Sequence, residues 1–268
     1  MIQLPEYHQT KEQIAERIAQ YAALPLKNFN EQEAYRFALS CIDLTTLEGS
    51  DTHAKIQQLC EKAITLNTAA VCVYPPFIKQ AKELLTNTGI TVASVAGAFP
   101  SGQSPLFVKL AEVAYAVEQG ADEIDMVISR GKFLEGNDQE VFDEIVAIKK
   151  TCQKAHLKVI LETGELLDPK LIFKASYLAM KAGSDFIKTS TGKINVSATP
   201  EAFLVMLDAI NQYYNETGTM IGIKPAGGIS DRETTLLYLK ILENTLNDKW
   251  LNNQYFRIGA SRLADKLI

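Results

Sequence analysis

The sequence predicts a (β/α)8 TIM barrel of the α/β class with an extra N-terminal helical segment. Short apolar runs alternate with amphipathic stretches from Leu39 to the C-terminus, at a spacing of about 30 residues that is typical of strand–helix–strand units. Eight such units within 268 residues match the number and length that close a barrel. Because no linker or change of composition interrupts the pattern, we expect residues 1–268 to form a single domain, with residues 1–35 as a helical cap.

The cap is predicted from two helical stretches. "TKEQIAERIAQYA" places Ile14, Ile18 and Tyr21 at helical spacing. After a break at Pro25, "NEQEAYRFALS" predicts a second helix. Both stretches precede the first apolar run, so they are expected to lie outside the repeating strand–helix pattern.

The barrel strands are predicted from eight apolar runs. In chain order they are Leu39–Leu44, Ala69–Tyr74, Thr91–Gly97, Glu123–Ile128, Lys158–Thr163, Asp185–Ser190, Met220–Pro225 and Tyr255–Ala260. Cap signals mark the helices between them: Asp51 or Thr52 can begin the first helix, Pro76 suits a first turn and Gly120 suits a helix end. An open doubly wound sheet is the alternative, although no GxGxxG or GxxxxGK[ST] motif supports it.

Composition excludes several classes of function. Hydrophobic residues make up 47% and charged residues 22% of the chain, as in ordinary globular proteins. The net charge is −5 with no clustered basic face, which excludes a nucleic-acid partner. No apolar run approaches the length of about 18 residues that a membrane span needs, and the N-terminus has no signal-peptide core.

Cysteine and histidine usage points to the cytoplasm and away from metal. Cys41, Cys60 and Cys72 lie in apolar or helical runs, so we expect buried free thiols, which are typical of a reducing compartment. The three histidines are isolated from one another and from acidic partners at ligand spacing. A histidine-based metal site is therefore not expected.

Two lysines end apolar strands where barrel active sites lie. Lys188 follows Phe186 and Ile187, and Lys224 ends the next strand in "MIGIKPAGG". Two ammonium groups about 5 Å apart repel by roughly 3 kcal/mol at an effective dielectric constant of about 20, which is about two pKa units, and burial adds to the effect. A neutral lysine could capture a carbonyl substrate as a Schiff base. The alternative is that each lysine only pairs with a barrel carboxylate.

Acidic residues in the strands are candidate partners for these lysines. Strand alternation places Asp125 within an apolar strand, on one face with Glu123 and Val127. A buried carboxylate needs a partner, and beside a lysine it could shuttle protons, although a purely structural ion pair is the alternative. Because Glu123 stands at the start of its strand, we expect it at the surface, whereas Glu162 is expected to orient loops.

Glycine-rich loops follow the last three strands. The motifs "TSTGK", "PAGGIS" and "IGASRL" could bind an anion through backbone N–H groups, as loops at this end of a barrel commonly bind phosphate. The candidate phosphate-binding residues are Gly192, Gly227, Gly228, Gly259 and Ser261.

Together these motifs resemble one enzyme family. "DLTTL", "EIDMVI", "VILETGEL", "DFIKTSTGK", "PAGGIS" and "RIGAS", in this order from about Phe37 to the end, are similar to the 2-deoxyribose-5-phosphate aldolases. The resemblance implies a class I, metal-independent aldolase without a cofactor, in the cytoplasm and in deoxyribonucleotide catabolism. Such an enzyme reversibly cleaves 2-deoxy-D-ribose 5-phosphate to acetaldehyde and D-glyceraldehyde 3-phosphate.

The resemblance also implies residue roles. Lys188 would form the Schiff base, Lys224 would lower its pKa, and Asp125 would relay protons. The sugar would be bound by Asp43, Thr45, Leu47, Thr191 and Lys193. The glycines named above and Ser261 would hold the phosphate.

One departure from the family pattern concerns phosphate. Relatives usually carry an arginine two residues after "PAGG", where this chain has Ser230. They often carry a small residue after "GAS", where this chain has Arg262. We therefore expect Arg262 to supply the positive charge that is missing at Ser230.

Three other functions fit parts of the pattern. They are a transaldolase-like lysine enzyme, a metal-dependent aldolase and an inactive barrel that senses sugar phosphates. The expected partners are phosphorylated sugars and aldehydes, with no nucleic acid and no membrane. The outer helices of barrels often pair, so a homodimer is a candidate assembly, although the sequence indicates no interface.

Overall fold

Eight parallel strands form the centre of the computed structural model, which describes residues 2–268. They are β1 Ile42–Thr45, β2 Ala70–Val73, β3 Thr91–Ala96, β4 Glu123–Val127, β5 His156–Ile160, β6 Phe186–Lys188, β7 Gly222–Lys224 and β8 Ile258–Ala260. Neighbours in the sheet run in the order β7-β6-β5-β4-β3-β2-β1-β8. Isolated parallel bridges, Ile223 with Phe256 and Ala226 with Gly259, join β7 to β8. The predicted (β/α)8 barrel is confirmed.

Helices alternate with these strands. They are α1 Lys11–Ala23, α2 Glu31–Ser40, α3 His53–Leu66, α4 Ile78–Leu84, α5 Leu106–Glu118, α6 Arg130–Leu134, α7 Asp138–Thr151, α8 Thr163–Leu166, α9 Pro169–Lys181, α10 Pro200–Thr217 and α11 Arg232–Thr245. Short 3-10 helices occupy Pro75–Phe77, Asp248–Trp250 and Leu263–Lys266. The last of these lies where an amphipathic helix was expected after β8, and α6 and α8 were not predicted.

Several predicted boundaries were wrong by a few residues. The first strand begins at Ile42, because α2 continues to Ser40 and includes Leu39. A capping box between Asn30 and Glu33 marks the start of that helix. The fifth strand runs from His156 to Ile160 and leaves Thr163 to α8. Of the two candidate caps for α3, Thr52 accepts the hydrogen bond.

The two N-terminal helices pack on the outside of the barrel. Helix α1 contacts α10 and α11, and α2 contacts α11. The cap is tied to α10 by Asp208, which accepts hydrogen bonds from the Tyr7 hydroxyl at 2.7 Å and the Arg17 guanidinium at 2.7 Å. The predicted helical segment is thus present, and its second helix extends to Ser40.

Burial follows the expected pattern for most of the chain. The strands are buried on both faces, and the apolar faces of the helices cover them. All four cysteines are free and buried, which confirms the prediction for Cys41, Cys60 and Cys72. In the part of the chain from residue 2 to 268, no helix combines the length and the apolar character needed to cross a bilayer.

Candidate active site

A cavity of about 730 Å³ opens at the carboxyl ends of the strands. Its lining includes these predicted site residues: Thr45, Leu47, Lys188, Thr191, Gly192, Lys193, Gly227, Gly228, Gly259, Ser261 and Arg262. Asp43, Asp125 and Lys224 are fully buried and are not part of that lining; their contacts place them beneath Lys188. The fold therefore brings every predicted site residue to this end of the barrel or to the layer below it.

A second cavity, of about 860 Å³, lies at the amino-terminal end of the strands. Glu123, His156 and Phe186, which start β4, β5 and β6, contribute to its wall. It is the larger of the two, but the candidate nucleophile and the glycine loops line the other one. We therefore assign the candidate active site to the carboxyl-terminal cavity, the end at which barrel enzymes carry their chemistry.

The two lysines meet at one carboxylate oxygen. Lys188 ends β6 and Lys224 ends β7, and the parallel register pairs these two residues directly. The Nζ atoms of both lie 2.7 Å from Oδ2 of Asp125, which is in the middle of β4. Lys224 also contacts Oδ2 of Asp43 at 2.5 Å. The strand register therefore places both amines within reach of the same proton acceptor.

The pKa values of the two lysines move in opposite directions. Burial lowers the pKa of Lys188, and the charge of Lys224 lowers it further, against the opposing effect of Asp125. Burial also disfavours the charged form of Lys224, but Asp125 and Asp43 together raise its pKa above the ordinary value. Desolvation, rather than the mutual repulsion emphasised from the sequence, is thus the largest cause of the shift at Lys188.

Three charged residues extend this cluster, and sequence reasoning missed their role. Lys158 in β5 donates to Asp125 Oδ1 at 3.1 Å and to Glu123. Arg257 contacts Asp43 at 2.7 Å and Glu123 at 2.9 Å. The prediction that Glu123 lies at the surface was wrong, because the side chain turns into the barrel and is only 2% exposed. Lys158 stands between apolar residues in its strand, and this pattern could have predicted a buried ion pair.

The complete cluster contains three acidic and four basic groups, all buried. We call it the barrel network, and its members are Asp43, Glu123, Asp125, Lys158, Lys188, Lys224 and Arg257. Its formal charge is zero when one basic group is neutral, and a buried net charge is costly. Within the described part of the chain, Lys188 pairs with Asp125 alone and reaches the cavity, whereas each of the other three basic groups contacts at least two carboxylates. Lys188 is therefore the group that gives up its proton most readily.

Asp43 lies in the layer below the cavity. The resemblance implies a sugar-binding residue, but the Asp43 carboxylate lies in the barrel interior between Lys224 and Arg257. The positive charges around it outweigh burial and hold its pKa below the ordinary value. Asp43 thus supports Lys224 from below, and Thr45 and Leu47 of the same segment line the cavity.

Glu162 holds the loop after β6, as expected of a loop-orienting residue. Its buried carboxylate accepts hydrogen bonds from the Thr191 amide at 3.2 Å and the Thr191 hydroxyl at 2.5 Å. Arg130 donates to the same carboxylate at 3.2 Å and to the Ser101 carbonyl at 3.0 Å. Burial raises the pKa of Glu162. The loops after β3, β4, β5 and β6 are therefore linked through the Glu162 carboxylate and the Arg130 guanidinium.

The glycine loops form one wall of the cavity. Gly227 and Gly228 have φ angles of +70° and +78°, which favour glycine. A Cβ atom at Gly227 would lie 2.6 Å from the Ser197 hydroxyl, so the close approach of the two loops also requires glycine. Positive charge is supplied at this end of the cavity by Lys193 and Arg262.

Among residues 2–268 there is no group of three or more His, Cys, Asp or Glu side chains arranged to hold a metal ion.

Comparison with known proteins gives consistent matches. The model of the family described as DeoC/LacD family aldolase matches residues 37–241. The deoxyribose-phosphate aldolase of Homo sapiens is 48% identical over 248 residues, which cover 86% of this chain and 78% of the human protein. That of Bos taurus is 47% identical over 244 residues, covering 84% and 77% respectively. The tetrameric deoxyribose phosphate aldolase from Aeropyrum pernix is similar in structure, with a TM-score of 0.72 at 27% identity, over 94% of this chain and 96% of that one.

Proposed function

The chain belongs to the DeoC/LacD family of aldolases, and we propose that it is a deoxyribose-phosphate aldolase. It cleaves 2-deoxy-D-ribose 5-phosphate reversibly to acetaldehyde and D-glyceraldehyde 3-phosphate through a Schiff base on Lys188. The observation that carries this proposal is the position of the Lys188 amine, at the cavity and 2.7 Å from a carboxylate oxygen that it shares with Lys224.

The neutral amine of Lys188 attacks the aldehyde carbon of the open-chain sugar. Loss of water from the carbinolamine gives an iminium ion, and removal of the C3 hydroxyl proton lets the C2–C3 bond break. Its electron pair moves into the enamine, and D-glyceraldehyde 3-phosphate leaves. Protonation of the enamine at C2 and addition of water release acetaldehyde and restore the amine.

Asp125 is the proton carrier in this scheme. Its Oδ2 is 2.7 Å from Lys188 Nζ, so it lies within reach of groups on the carbon that becomes bonded to that nitrogen. The positive charges of Lys158, Lys188 and Lys224 outweigh burial and hold the pKa of Asp125 well below its ordinary value. Asp125 therefore enters the cycle ionised and returns to that state once the proton has moved on.

The remaining cavity residues hold the substrate. Thr45, Leu47, Thr191 and Lys193 surround the sugar, with Asp43 in the layer beneath them. The backbone amides of Gly192, Gly227, Gly228, Gly259 and Ser261, with Arg262, hold the phosphate. The substrate supplies the electrophile and the protein the amine, so no cofactor takes part.

We propose further that residues 1–268 act as one domain, located in the cytoplasm. The four buried free thiols support a reducing compartment. The assembly is a homodimer in this proposal, and measurement of the mass in solution distinguishes it from the tetramer of the Aeropyrum pernix enzyme.

Reductive trapping tests the proposal. Borohydride reduction in the presence of acetaldehyde should leave an ethyl group on the peptide that contains Lys188. Lys188→Leu should abolish the adduct, whereas Lys170→Leu, the same change at an exposed lysine, should leave it intact. An adduct on another peptide would overturn the assignment of Lys188. The absence of any adduct, combined with loss of activity on chelation, would favour a metal-dependent aldolase.

Product identification tests the substrate. Incubation with 2-deoxy-D-ribose 5-phosphate should release acetaldehyde, whereas ketose phosphates should not be cleaved. Cleavage of ketose phosphates alone would favour a transaldolase-like enzyme. An adduct without turnover of either would favour a sugar-phosphate sensor.

A further inference from the structure

We propose that Glu123 and Arg257, at the end of the barrel opposite the candidate active site, are positioning residues that set the protonation state of Lys188 through the charge balance of the barrel network. This inference rests on the proposed role of Lys188 as the Schiff-base lysine. It assigns a part in the reaction to two residues that cannot touch the substrate.

Glu123 and Arg257 close the lower end of the barrel interior. Glu123 starts β4, and Arg257 immediately precedes β8. Their side chains are bonded to each other at 2.9 Å, and they are 2% and 6% exposed. Both residues line the amino-terminal cavity and neither lines the carboxyl-terminal one. They are therefore separated from the substrate by the barrel network itself.

Two chains of contacts connect this pair to the catalytic amine. Glu123 binds Lys158, which binds Asp125 Oδ1 at 3.1 Å, and Asp125 binds Lys188 at 2.7 Å. On the other side, Arg257 binds Asp43 at 2.7 Å. Asp43 and Asp125 both contact Lys224, at 2.5 Å and 2.7 Å. A change of charge at either end of these chains acts on the same amine.

Among the described residues 2–268, no other titratable group facing this interior offsets such a change. From β2, Cys72 faces the network, and burial raises the pKa of its thiol to about 11, so it stays neutral at physiological pH. From β3, Ala93 and Val95 contribute apolar side chains that pack with Cys72 and Leu47. The remaining strands contribute the members of the barrel network already named. Its balance is therefore set by three carboxylates against four basic groups.

The balance gives the two end residues opposite effects. With Lys188 neutral, the intact network has zero formal charge. Glu123→Gln removes a negative charge, so protonation of Lys188 becomes harder and its pKa falls. Arg257→Gln removes a positive charge, so protonation becomes easier and its pKa rises. For a charge up to about 10 Å from the Lys188 amine, at an effective dielectric constant of about 20, removal shifts the pKa of Lys188 by about one unit.

The test measures the pH dependence of adduct formation at Lys188. Wild type and variants are incubated with acetaldehyde and cyanoborohydride across a range of pH, and the ethylated Lys188 peptide is quantified by mass spectrometry. Because only the neutral amine reacts, the rate rises with pH through the pKa of Lys188. The midpoint should move down by about one unit in Glu123→Gln and up by about one unit in Arg257→Gln.

Two further variants separate charge from packing. Arg257→Lys keeps the charge and should keep the wild-type midpoint. The double variant Glu123→Gln/Arg257→Gln restores the balance and should also return the midpoint to that of the wild type. A purely structural role would displace both single variants in the same direction and the double variant further still.

The outcomes are distinguishable from failure of the proposed function. If the wild type forms no adduct at Lys188, the Schiff-base assignment fails. If the adduct forms but both single variants keep the wild-type midpoint, or both move the same way, the role of Glu123 and Arg257 is refuted. If a single variant does not fold, the double variant and Arg257→Lys decide the question, because a displaced midpoint in either would contradict the proposal.

Discussion

Replacement of Lys224 by leucine should suppress activity by changing the protonation of Lys188. The Nζ atoms of both lysines lie 2.7 Å from the same Asp125 oxygen, so they are separated by no more than twice that distance. At about 5 Å and an effective dielectric constant of about 20, their repulsion is roughly 3 kcal/mol, or about two pKa units. Lys224→Leu should therefore raise the pKa of Lys188 by about two units.

The carboxylates beneath Lys188 remain paired in this variant. Asp43 keeps Arg257 at 2.7 Å, and Asp125 keeps Lys158 at 3.1 Å and Lys188 at 2.7 Å. No uncompensated buried acid is left behind, so we expect the barrel to fold. The loss should be electrostatic in origin, about 100-fold in kcat/KM at neutral pH.

The assay is cleavage of 2-deoxy-D-ribose 5-phosphate, with kcat/KM measured against pH. Since the neutral amine is the reactive form, the variant should recover about tenfold in rate for each unit of rising pH until its raised pKa is passed. Lys174→Leu, which breaks an outer ion pair with Asp138 at 2.6 Å, serves as the control and should keep the wild-type profile. A loss independent of pH, or a near-normal rate and profile in Lys224→Leu, would refute the reasoning.

Three further substitutions test separate parts of the site. Asp125→Asn should lower kcat by about 100-fold or more across the pH range, because it removes the carboxylate that we propose as the proton carrier; a profile that is merely displaced along the pH axis would contradict that role. Glu162→Gln should loosen the loop held at Thr191 and raise KM for 2-deoxy-D-ribose 5-phosphate about tenfold with little change in kcat; an unchanged KM would show that this carboxylate does not position the loop. Arg262→Ala should raise KM for 2-deoxy-D-ribose 5-phosphate about tenfold. Arg36→Ala, at an exposed position on α2, should leave this KM unchanged. An unchanged KM in Arg262→Ala would show that this arginine does not replace the charge missing from the family motif.

The parts of the fold that sequence predicts well are those fixed by burial. All eight strands were located within a few residues because continuous apolar runs bounded by turn residues leave little choice. The helices α6 and α8 were missed because they depend on tertiary contacts. Glu162, for example, adopts a φ of +57° just before α8 while its carboxylate is held by Thr191 and Arg130. Such a conformation has no local signature in the sequence.

The site was predicted where a charge ends an apolar strand. Lys188 and Lys224 share this local pattern, so the pattern does not indicate that their pKa values differ. Their difference arises from Asp43, which contacts Lys224 and comes from a strand far away in the chain. Glu123 was misplaced for a related reason: whether a residue at the start of a strand faces the interior depends on the barrel register. Long-range placement, rather than local pattern, decides these pKa values.

The seam between β7 and β8 makes the charge balance around Lys188 depend on the last barrel strand. Arg257 immediately precedes β8, the last barrel strand in the chain, and isolated bridges join this region to the region of β7, which carries Lys224. Until this strand docks, Asp43 and Glu123 lack the guanidinium that neutralises them. Removal of that positive charge favours a protonated Lys188, so the proposed nucleophile depends on the closure of the barrel at this seam.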